Sequence, residues 1–201
     1  MYSASINNLV ASLKKLPSVG QRTAERFVFH WLKSGRREVN QLREALDNLL
    51  INTKSCEICW NFDDTNPCRT CTDSRRDHGY ICVVADPQDI PAMERTGAFR
   101  GVYHVLRGLI ESGNEDGLRY CKIRELLLRI KDDETSNKIT EIILALNPDL
   151  PGETTILFLK REIAKINPKI KISRLARGLP MGSDLQYADE ITLTSALKNR
   201  A

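Results

Sequence analysis

Cys56-Glu57-Ile58-Cys59 and Cys68-Arg69-Thr70-Cys71 are two Cys-x2-Cys pairs separated by eight residues, and they set the organisation of the chain. One such pair presents two thiolates to one side of a metal ion, so two pairs supply the tetrahedral set that Zn²⁺ prefers. The polar segment between them includes Pro67, which favours a chain reversal. The spacing predicts one structural zinc ion per chain, because four cysteine ligands leave no open position for catalysis. Two disulfides or four free thiols are the alternatives.

The length and composition bound the class of protein. With 201 residues, 41% of them hydrophobic, the chain is long enough for one large domain or several small ones. It contains no apolar run of membrane-spanning length and no apolar secretion segment at its N-terminus, so we expect neither a membrane span nor a signal peptide. Cys82 and Cys121 lie in apolar or helical surroundings and are expected to be buried thiols. This cysteine usage is typical of the reducing cytoplasm.

Positive charge is concentrated before the cysteines. Residues 1–55 carry nine Lys or Arg and four Asp or Glu, a net charge of +5. Residues 56–80 carry three Lys or Arg and five Asp or Glu, a net charge of −2. A basic arm suits a nucleic-acid partner, because binding to phosphates releases counterions. An ordinary solvated helix surface explains the charge equally well. The acidic cysteine segment is expected to have a structural role rather than to read DNA.

Three helices are predicted in the basic arm. Apolar residues recur at helical spacing over residues 6–16, from residue 21 to Gly35, and over residues 39–49. The first two helices are joined by Leu16-Pro17-Ser18-Val19-Gly20, and basic residues follow in the first turns of the second helix. This arrangement resembles the helix-hairpin-helix DNA-binding motif.

Within this hairpin we predict DNA contacts from Gly20, Arg22 and Arg26. Gly20 lets the backbone approach an anion, and the N–H groups that open the second helix point toward it. Arg22 and Arg26 are four residues apart, share a helix face and can bind phosphates without reading sequence. Ser18 occupies the first glycine position of the usual Gly-hydrophobic-Gly hairpin. A hairpin that serves only for packing is the alternative.

Strands and helices alternate after the cysteines, which is typical of an α/β fold with a mostly parallel sheet. Ligand sites in such sheets lie beyond the carboxyl ends of the strands. The β-branched and apolar runs predict strands at residues 80–84, 102–106, 139–146, 169–175 and 191–193. Helices are predicted at residues 87–93, 123–130, 152–166 and 195–197.

This order of elements resembles the Toprim fold of topoisomerases, bacterial primases and some nucleases. Those enzymes hold Mg²⁺ with a glutamate after the first strand and with a later Asp-x-Asp. Here Ala85 stands at the first position and Asn147-Pro148-Asp149 at the second. Asp86, Asp89 and Asp149 remain as candidate magnesium ligands, although helix capping and turn formation explain them better. A metal-dependent nuclease or primase accessory is therefore the alternative function.

Several long runs match one family in the same order along the chain. Three of them are Ser74-Arg75-Arg76-Asp77, Phe99-Arg100-Gly101-Val102-Tyr103-His104-Val105-Leu106, and Arg174-Leu175-Ala176-Arg177-Gly178-Leu179-Pro180-Met181-Gly182. Together with the hairpin and the cysteines, they resemble the RecR family of bacterial recombination mediators over essentially the whole chain. The expected division is a helix-hairpin-helix domain at 1–55, a four-cysteine zinc finger at 56–72, a Toprim domain at 79–175 and a C-terminal region, with a strand and a helix, at 176–201.

The resemblance implies a non-enzymatic protein of recombinational DNA repair. RecR-like proteins form ring-like tetramers that can encircle DNA. They act with RecO and RecF to load the recombinase RecA on gapped DNA coated by single-strand binding protein. For this chain the resemblance implies sequence-independent binding of single- and double-stranded DNA at Arg22, Arg26 and Gly20. It also implies a location in the bacterial cytoplasm, at the nucleoid.

The chain departs from the family pattern at Ser18, Ala85 and Pro151 and in the loop at residues 110–118, most of which lies outside the described residues and which lacks the usual Leu-Ser-Pro-Leu run. Ser18 replaces the hairpin glycine, Ala85 replaces a glutamate, and Pro151 stands where a glutamate commonly precedes a glycine. A third function class is open from the residues alone, a zinc-stabilised scaffold that never touches DNA.

Overall fold

The computed structural model describes residues 2–110, 121–132 and 138–200. The chain divides into two compact units, Met1–Thr53 and Lys54–Ala201, which are described separately. In the described ranges, no helix combines the length and the apolar character that crossing a bilayer requires.

The first unit consists of three helices. Helices α1 and α2 pack together through the buried side chains of Val10, Ala24 and Val28. Helix α1 ends earlier than predicted, because residues 14–16 close tight turns instead; the amide of Leu16 donates to the carbonyl of Leu13, three residues back. The three helices are α1 (Ala4–Leu13), α2 (Gln21–Ser34) and α3 (Arg36–Asn52).

The third helix forms as predicted, but its apolar side chains do not enter a core. None of its residues is buried. Val39, Leu42, Leu46 and Leu49 follow a three-four-three spacing along one side and are 39% to 58% exposed. We call these four residues the α3 stripe. Such spacing is that of a helix seam that packs against another helix.

The second unit begins with the cysteine module. Its two short strands, β1 (Lys54–Ser55) and β2 (Phe62–Asp63), form an antiparallel hairpin, and a single helical turn, α4 (Arg69–Thr72), follows. The four cysteines are buried and make up the small core of this module.

A parallel four-stranded sheet forms the centre of the second unit. The strand order is β4-β3-β5-β6, and every neighbouring pair is parallel, which confirms the predicted α/β class. The strands are β3 (Asp77–Val84), β4 (Gly101–Val105), β5 (Glu141–Ala145) and β6 (Lys171–Arg174). The helices are α5 (Asp89–Glu94), α6 (Ile123–Asp132), α7 (Leu150–Ile166) and α8 (Glu190–Lys198).

The alternation of β3 distributes the core over both faces of the sheet. Ile81 and Val83 face one side, in the core that contains buried residues of α6 and α7. Cys82 and Val84 face the other side, where Ile90 of α5 covers them. Because β3 pairs with β4 on one edge and β5 on the other, its run of apolar residues is buried on both sides, as a central parallel strand requires.

The strand predicted at residues 191–193 is wrong, because this segment belongs to α8. The Asp189 side chain accepts a hydrogen bond from the amide of Thr192 and so caps the helix. A three-residue apolar run cannot by itself distinguish a strand from a helix, and here the cap decides. The C-terminal strand of the fold is β6, and its C-terminal helix is α8.

A partly buried ion pair ties the start of β3 to α5 and β4. The Arg76 guanidinium donates to both carboxylate oxygens of Glu94 at 2.9 and 2.6 Å and to the carbonyl of Gly101. The Tyr103 hydroxyl donates to the same carboxylate at 2.6 Å. The Arg76 guanidinium beside Glu94 lowers the pKa of that carboxyl. These residues belong to runs that match the family, and their role here is structural.

Candidate metal centre and nucleic-acid interface

The four cysteine sulfurs form one compact donor set. All four Sγ atoms lie within 4.8 Å of one another, and those of Cys59 and Cys68 are 3.5 Å apart. A tetrahedral zinc ion with Zn–S bonds of about 2.3 Å places its sulfur ligands about 3.8 Å apart, so the donor set fits Zn²⁺. A disulfide requires sulfur atoms about 2.05 Å apart, and the four cysteines of the cluster form none. The two Cys-x2-Cys motifs therefore form one four-sulfur site, as predicted.

The electrostatics of the cluster favour a cation at its centre. The pKa of Cys59 is raised to about 12, chiefly by its hydrogen bond with the Cys68 sulfur. The pKa of Cys71 is raised by its hydrogen bond with Cys59, whereas that of Cys68 is lowered by the hydrogen bonds it accepts. Four thiolates so close together repel one another unless a cation neutralises them. A bound divalent ion lowers the pKa values of all four thiols, because coordination deprotonates them, and its positive charge offsets the repulsion between the thiolates.

Local turns position the ligands. The amide of Cys56 donates to the carbonyl of Asn61, and the amide of Trp60 donates back to the carbonyl of Cys56, which closes the first knuckle. Cys68 precedes α4, and Cys71 lies within that turn. The amide of Cys68 lies 3.3 Å from the sulfur of Cys56 and donates to it, so the second knuckle also contacts the first pair.

The cysteine module is docked on the edge of the parallel sheet, which the sequence did not predict. The amide of Val105, in the edge strand β4, donates to the carbonyl of Cys59 at 2.8 Å. The Arg107 guanidinium donates to the carbonyl of Trp60 at 2.8 Å and to the hydroxyl of Ser55 at 2.7 Å. The module thereby covers a strand edge that would otherwise offer unpaired backbone groups.

Cations and aromatic rings reinforce this contact. The Arg107 guanidinium lies 4.0 Å from the centre of the Phe62 ring, and the Lys122 ammonium lies 4.1 Å from the centre of the Trp60 ring. Arg129 of α6 donates to the carbonyl of Tyr103 in β4. Burial lowers the pKa of Arg129 and the four cysteines act against this shift, so its guanidinium lies in the field of the cluster.

The hairpin of the first unit places its left-handed residue at Ser18. The amide of Val19 donates to the carbonyl of Leu16, and Ser18 has a φ of 61°. Proline at the second position and a left-handed residue at the third are typical of a type II turn, for which glycine is the preferred third residue. Gly20 has a φ of −84°, which any residue can adopt. Of the two glycine positions in the motif, only the first has a backbone conformation that favours glycine, and in this chain Ser18 occupies it.

We expect Ser18→Gly to stabilise the first unit by about 0.5–1 kcal/mol. A non-glycine residue in the left-handed conformation costs about 1–2 kcal/mol of folding free energy, and glycine removes this cost. The greater conformational freedom of glycine in the unfolded chain offsets part of the gain. Urea unfolding followed by the helical circular dichroism signal measures the change. Gly20→Ala is the matched control and should leave the stability nearly unchanged, because a Cβ there meets nothing within 4 Å. A loss of stability in Ser18→Gly would contradict the turn assignment.

The start of α2 is an open anion site. Its first hydrogen bond runs from the amide of Ala24 to the carbonyl of Gly20, no side chain caps the helix, and its first turn contains no acidic residue. The amides of residues 21–23 therefore point outward without helix partners. The partial positive charge of the helix terminus adds to this attraction for anions.

Arg22 and Arg26 are both exposed on α2, next to this terminus. In the described ranges neither arginine is within ion-pair distance of a carboxylate, so both cations are available for a ligand. Arg26 and Lys33 border a shallow groove that also includes Phe27 and Phe29. Phe27 is 41% exposed and stacks on Trp31 with ring centres 6.1 Å apart. Cations beside exposed aromatic rings are the surface that single-stranded nucleic acid binds.

The carboxyl ends of the sheet strands border a crevice of about 300 Å³, where ligands of such folds bind. Asp89 lines it, but its carboxylate accepts a hydrogen bond from the amide of Asp86. The Asp149 carboxylate caps α7 through the amide of Gly152. In residues 2–110, 121–132 and 138–200, the four cysteines are the one group of three or more potential ligands that could hold a metal ion. The structure thus gives Asp89 and Asp149 the capping and turn roles.

Pro151 causes no defect in α7. It lies in the first turn, where a helix tolerates proline because the missing N–H has no helix partner. Glu153, two residues later, pairs with Arg174 at 3.6 Å and with Arg177, and both arginines line the crevice. The crevice is therefore lined by two arginines that pair with Glu153. Enzymes of this fold have magnesium ligands at this place.

Four family models match consecutive parts of the chain. They are described as the RecR helix-hairpin-helix at residues 6–50, the RecR zinc finger domain with four cysteine ligands at 53–73, the Toprim domain at 79–176 and the RecR C-terminal region at 178–201. The zinc finger model and the clustered sulfurs agree on one structural zinc site.

Curated relatives match over nearly their full length. A protein named Recombination protein RecR from Moorella thermoacetica is 43% identical over 199 residues, which is 99% of this chain and 97% of the relative. Proteins of the same name from Bifidobacterium animalis subsp. lactis and Cutibacterium acnes are 42% and 43% identical, covering 99% and 100% of this chain and 96% of each relative.

Proposed function

Because the chain belongs to the RecR family of recombination proteins, we propose that it is a non-enzymatic, DNA-binding recombination mediator in DNA repair. It acts as a ring-like clamp with RecO and RecF to help load RecA on gapped single-stranded DNA, at the bacterial nucleoid in the cytoplasm. The observation that carries the proposal is the start of α2, which has no side-chain cap, beside the exposed Arg22 and Arg26.

The DNA contact follows from the geometry of this surface. Phosphates accept hydrogen bonds from the free amides after Gly20, and the two guanidinium groups neutralise neighbouring phosphates along one strand. Phosphate contacts carry no sequence information, so the proposed binding is independent of sequence. Phe27 adds a stacking surface for unpaired bases, which suits gapped DNA.

The absence of catalysis is supported by the residues at the strand ends. Ala85 is buried and has no ligand atom, and Asn147 offers a neutral amide where magnesium requires carboxylates. The Asp89 carboxylate accepts a hydrogen bond from the Asp86 amide, which supports a second unit that acts through contacts rather than chemistry. Magnesium-dependent plasmid nicking or primer synthesis that is lost in Asp149→Ala would instead support the nuclease or primase accessory.

The ring is supported by apolar surface that one chain leaves uncovered. The α3 stripe carries four exposed aliphatic side chains on one side of a helix. In the C-terminal region, Met181, Tyr187 and Ile191 are also exposed, and α8 has no buried residue. Two separate self-complementary surfaces on one chain, one in each unit, build a closed tetramer when each is repeated by a two-fold axis. We propose that these surfaces form the homotetramer.

Replacing Arg22 and Arg26 together by alanine tests the DNA surface. Each lost phosphate contact removes about 0.9 from the slope of log K against log salt, which amounts to about 60-fold weaker binding for two contacts at 0.1 M salt. Fluorescence anisotropy with gapped and single-stranded oligonucleotides measures the loss, which should not vary with sequence and should be smaller, about 25-fold, on single strands, where each phosphate contributes about 0.7 to the slope.

Two control proteins make this test specific. Arg22→Lys with Arg26→Lys keeps the charges and should retain most of the affinity, because phosphate contacts depend mainly on charge. Arg95→Ala with Arg100→Ala removes two exposed cations from the other unit and should bind like the parent. If the Arg22→Ala/Arg26→Ala protein matches the parent across a salt series, the DNA surface lies elsewhere.

A further inference from the structure

An apolar groove runs between α6 and α7 on the outer side of the second unit. It has a volume of about 340 Å³. Ile123, Leu127 and Leu128 line it from α6, and Phe158 and Ile166 line it from α7. Leu128 is 46% exposed, and the other four side chains are buried or partly buried against the sheet core. The groove belongs neither to the zinc site nor to the DNA surface of α2.

Cations surround this groove. Arg124 and Lys131 line it from α6 and are exposed, and in the described part of the chain no carboxylate forms an ion pair with either. On α7 the Arg161 guanidinium lies 5.5 Å from the centre of the Phe158 ring. Glu162 of α7 is already engaged, because it pairs with both Arg161 and Lys165. The rim therefore has free positive charge next to a partly exposed aromatic ring.

The charge balance of the two helices singles out this surface. Residues 122–132 and 157–166 together carry seven Lys or Arg and three Asp or Glu, a net charge of +4. The whole chain of 201 residues has the same net charge of +4. Two of these cations, Arg124 and Lys131, line the apolar groove itself. DNA would not use the groove itself, because a phosphate backbone offers nothing apolar to fill it.

We propose that this groove docks an acidic, amphipathic segment of a partner protein. Its apolar side chains enter between Leu128 and Phe158, and its carboxylates pair with Arg124 and Lys131. On each helix the lining residues span nine positions, and the eight steps between the first and the last cover about 12 Å at 1.5 Å per residue. That length accommodates two turns of a helix with anchors at i, i+3 or i+4 and i+7, as in other helix-in-groove complexes.

A designed peptide tests this surface without knowledge of the natural partner. The probe is a short fluorescein-labelled peptide of Glu and Asp with one Phe and two Leu at helical spacing. We expect saturable binding to the full-length protein, weakened at least about tenfold by Arg124→Glu with Lys131→Glu and by Leu128→Glu. A scrambled peptide of equal composition, and a version with Lys in place of its acidic residues, should bind at least about tenfold more weakly.

Matched variants separate the possible outcomes. Arg95→Glu with Arg100→Glu makes the same charge change next to α5, which covers the opposite face of the sheet, and should bind the peptide within about twofold of the parent. All of these positions are exposed or partly exposed, and unfolding temperatures close to the parent exclude a folding defect.

Three results would overturn the proposal. The first is equal peptide binding by the parent and the Arg124→Glu/Lys131→Glu protein, or by the parent to the scrambled peptide. The second is displacement of the peptide by single-stranded DNA together with an equal loss of DNA binding in that variant, which would make the rim a DNA contact. The third is a smaller assembly in Leu128→Glu on light scattering, which would make the groove a contact between copies of this chain.

Discussion

Replacing Cys56 by serine is expected to reduce the zinc content from one ion per chain to nearly none. Three thiolates and a hydroxyl do not satisfy a structural zinc ion, and the binding energy of such a site, about 10–16 kcal/mol in isolated zinc fingers, is also its folding energy. Few other side chains stabilise the interior of the module, because its core consists of the four cysteines with Ile58 packed against them. Elemental analysis of the purified protein measures the loss.

The effect should extend into the parallel sheet. The carbonyl of Cys59 accepts the amide of Val105, and Arg107 binds the backbone of Trp60, so loss of the module exposes the edge of β4. We expect the Val105 amide to lose hydrogen-exchange protection in Cys56→Ser and in protein treated with a chelator. An exposed parallel edge also promotes aggregation, which should appear on heating.

Two variants separate metal binding from docking and from the loss of a thiol. Cys82→Ala removes a buried cysteine outside the cluster and should keep one zinc ion per chain. Arg107→Ala should also keep the zinc but loosen the contact with β4, because it removes hydrogen bonds to Trp60 and Ser55. A fully folded Cys56→Ser protein with unchanged protection at Val105 would refute the structural role of the metal.

The parts of the fold that sequence predicted well are those that local pattern determines. The Cys-x2-Cys spacing identified the metal ligands, because the two knuckles are each closed by hydrogen bonds within a few residues. The central strand β3 was recognisable because both of its faces are buried, which demands an uninterrupted apolar run. Asp149 was correctly interpreted as a helix cap, since strand ends in parallel sheets lead directly into helices.

The parts that sequence missed depend on contacts between distant segments. The docking of the cysteine module on β4 is made by backbone groups of Cys59 and Trp60, which carry no side-chain signature. Arg107 was a possible signal, but its partner at Ser55 is 52 positions away. The positive φ of Ser18 could not be predicted from residue type, because positive φ values are typical of glycine and uncommon for serine.

The spacing of apolar residues predicted the helix α3 but not whether its apolar side is buried. An apolar stripe at positions 39, 42, 46 and 49 has the same sequence signature whether it packs against its own chain or against another. The structure distinguishes the two, because the stripe is exposed while the neighbouring α1–α2 core closes without it. That difference makes the α3 stripe the strongest support for the proposed homotetramer.

A charge placed in the α3 stripe is therefore expected to break the assembly. In Leu46→Glu, each copy loses a leucine contact of about 1.5–3 kcal/mol and buries a carboxylate instead. A two-fold interface contains the substitution twice, so the association constant should fall by about 10² to 10⁴-fold. Light scattering and native mass measurement should show the loss of the tetramer, and DNA affinity should fall with it because fewer α2 surfaces engage one DNA molecule.

Asn48→Glu adds the same charge to the same helix and provides the control. Position 48 lies two residues beyond Leu46, which is about 200° around the helix and away from the α3 stripe. This variant should assemble and bind DNA like the parent, apart from a small loss from added negative charge. If Leu46→Glu and Asn48→Glu have the same mass in solution, the stripe does not join copies of the chain. If Leu46→Glu dissociates but keeps the full DNA affinity, a single α2 surface is enough, and the clamp model of binding fails even though the interface is real.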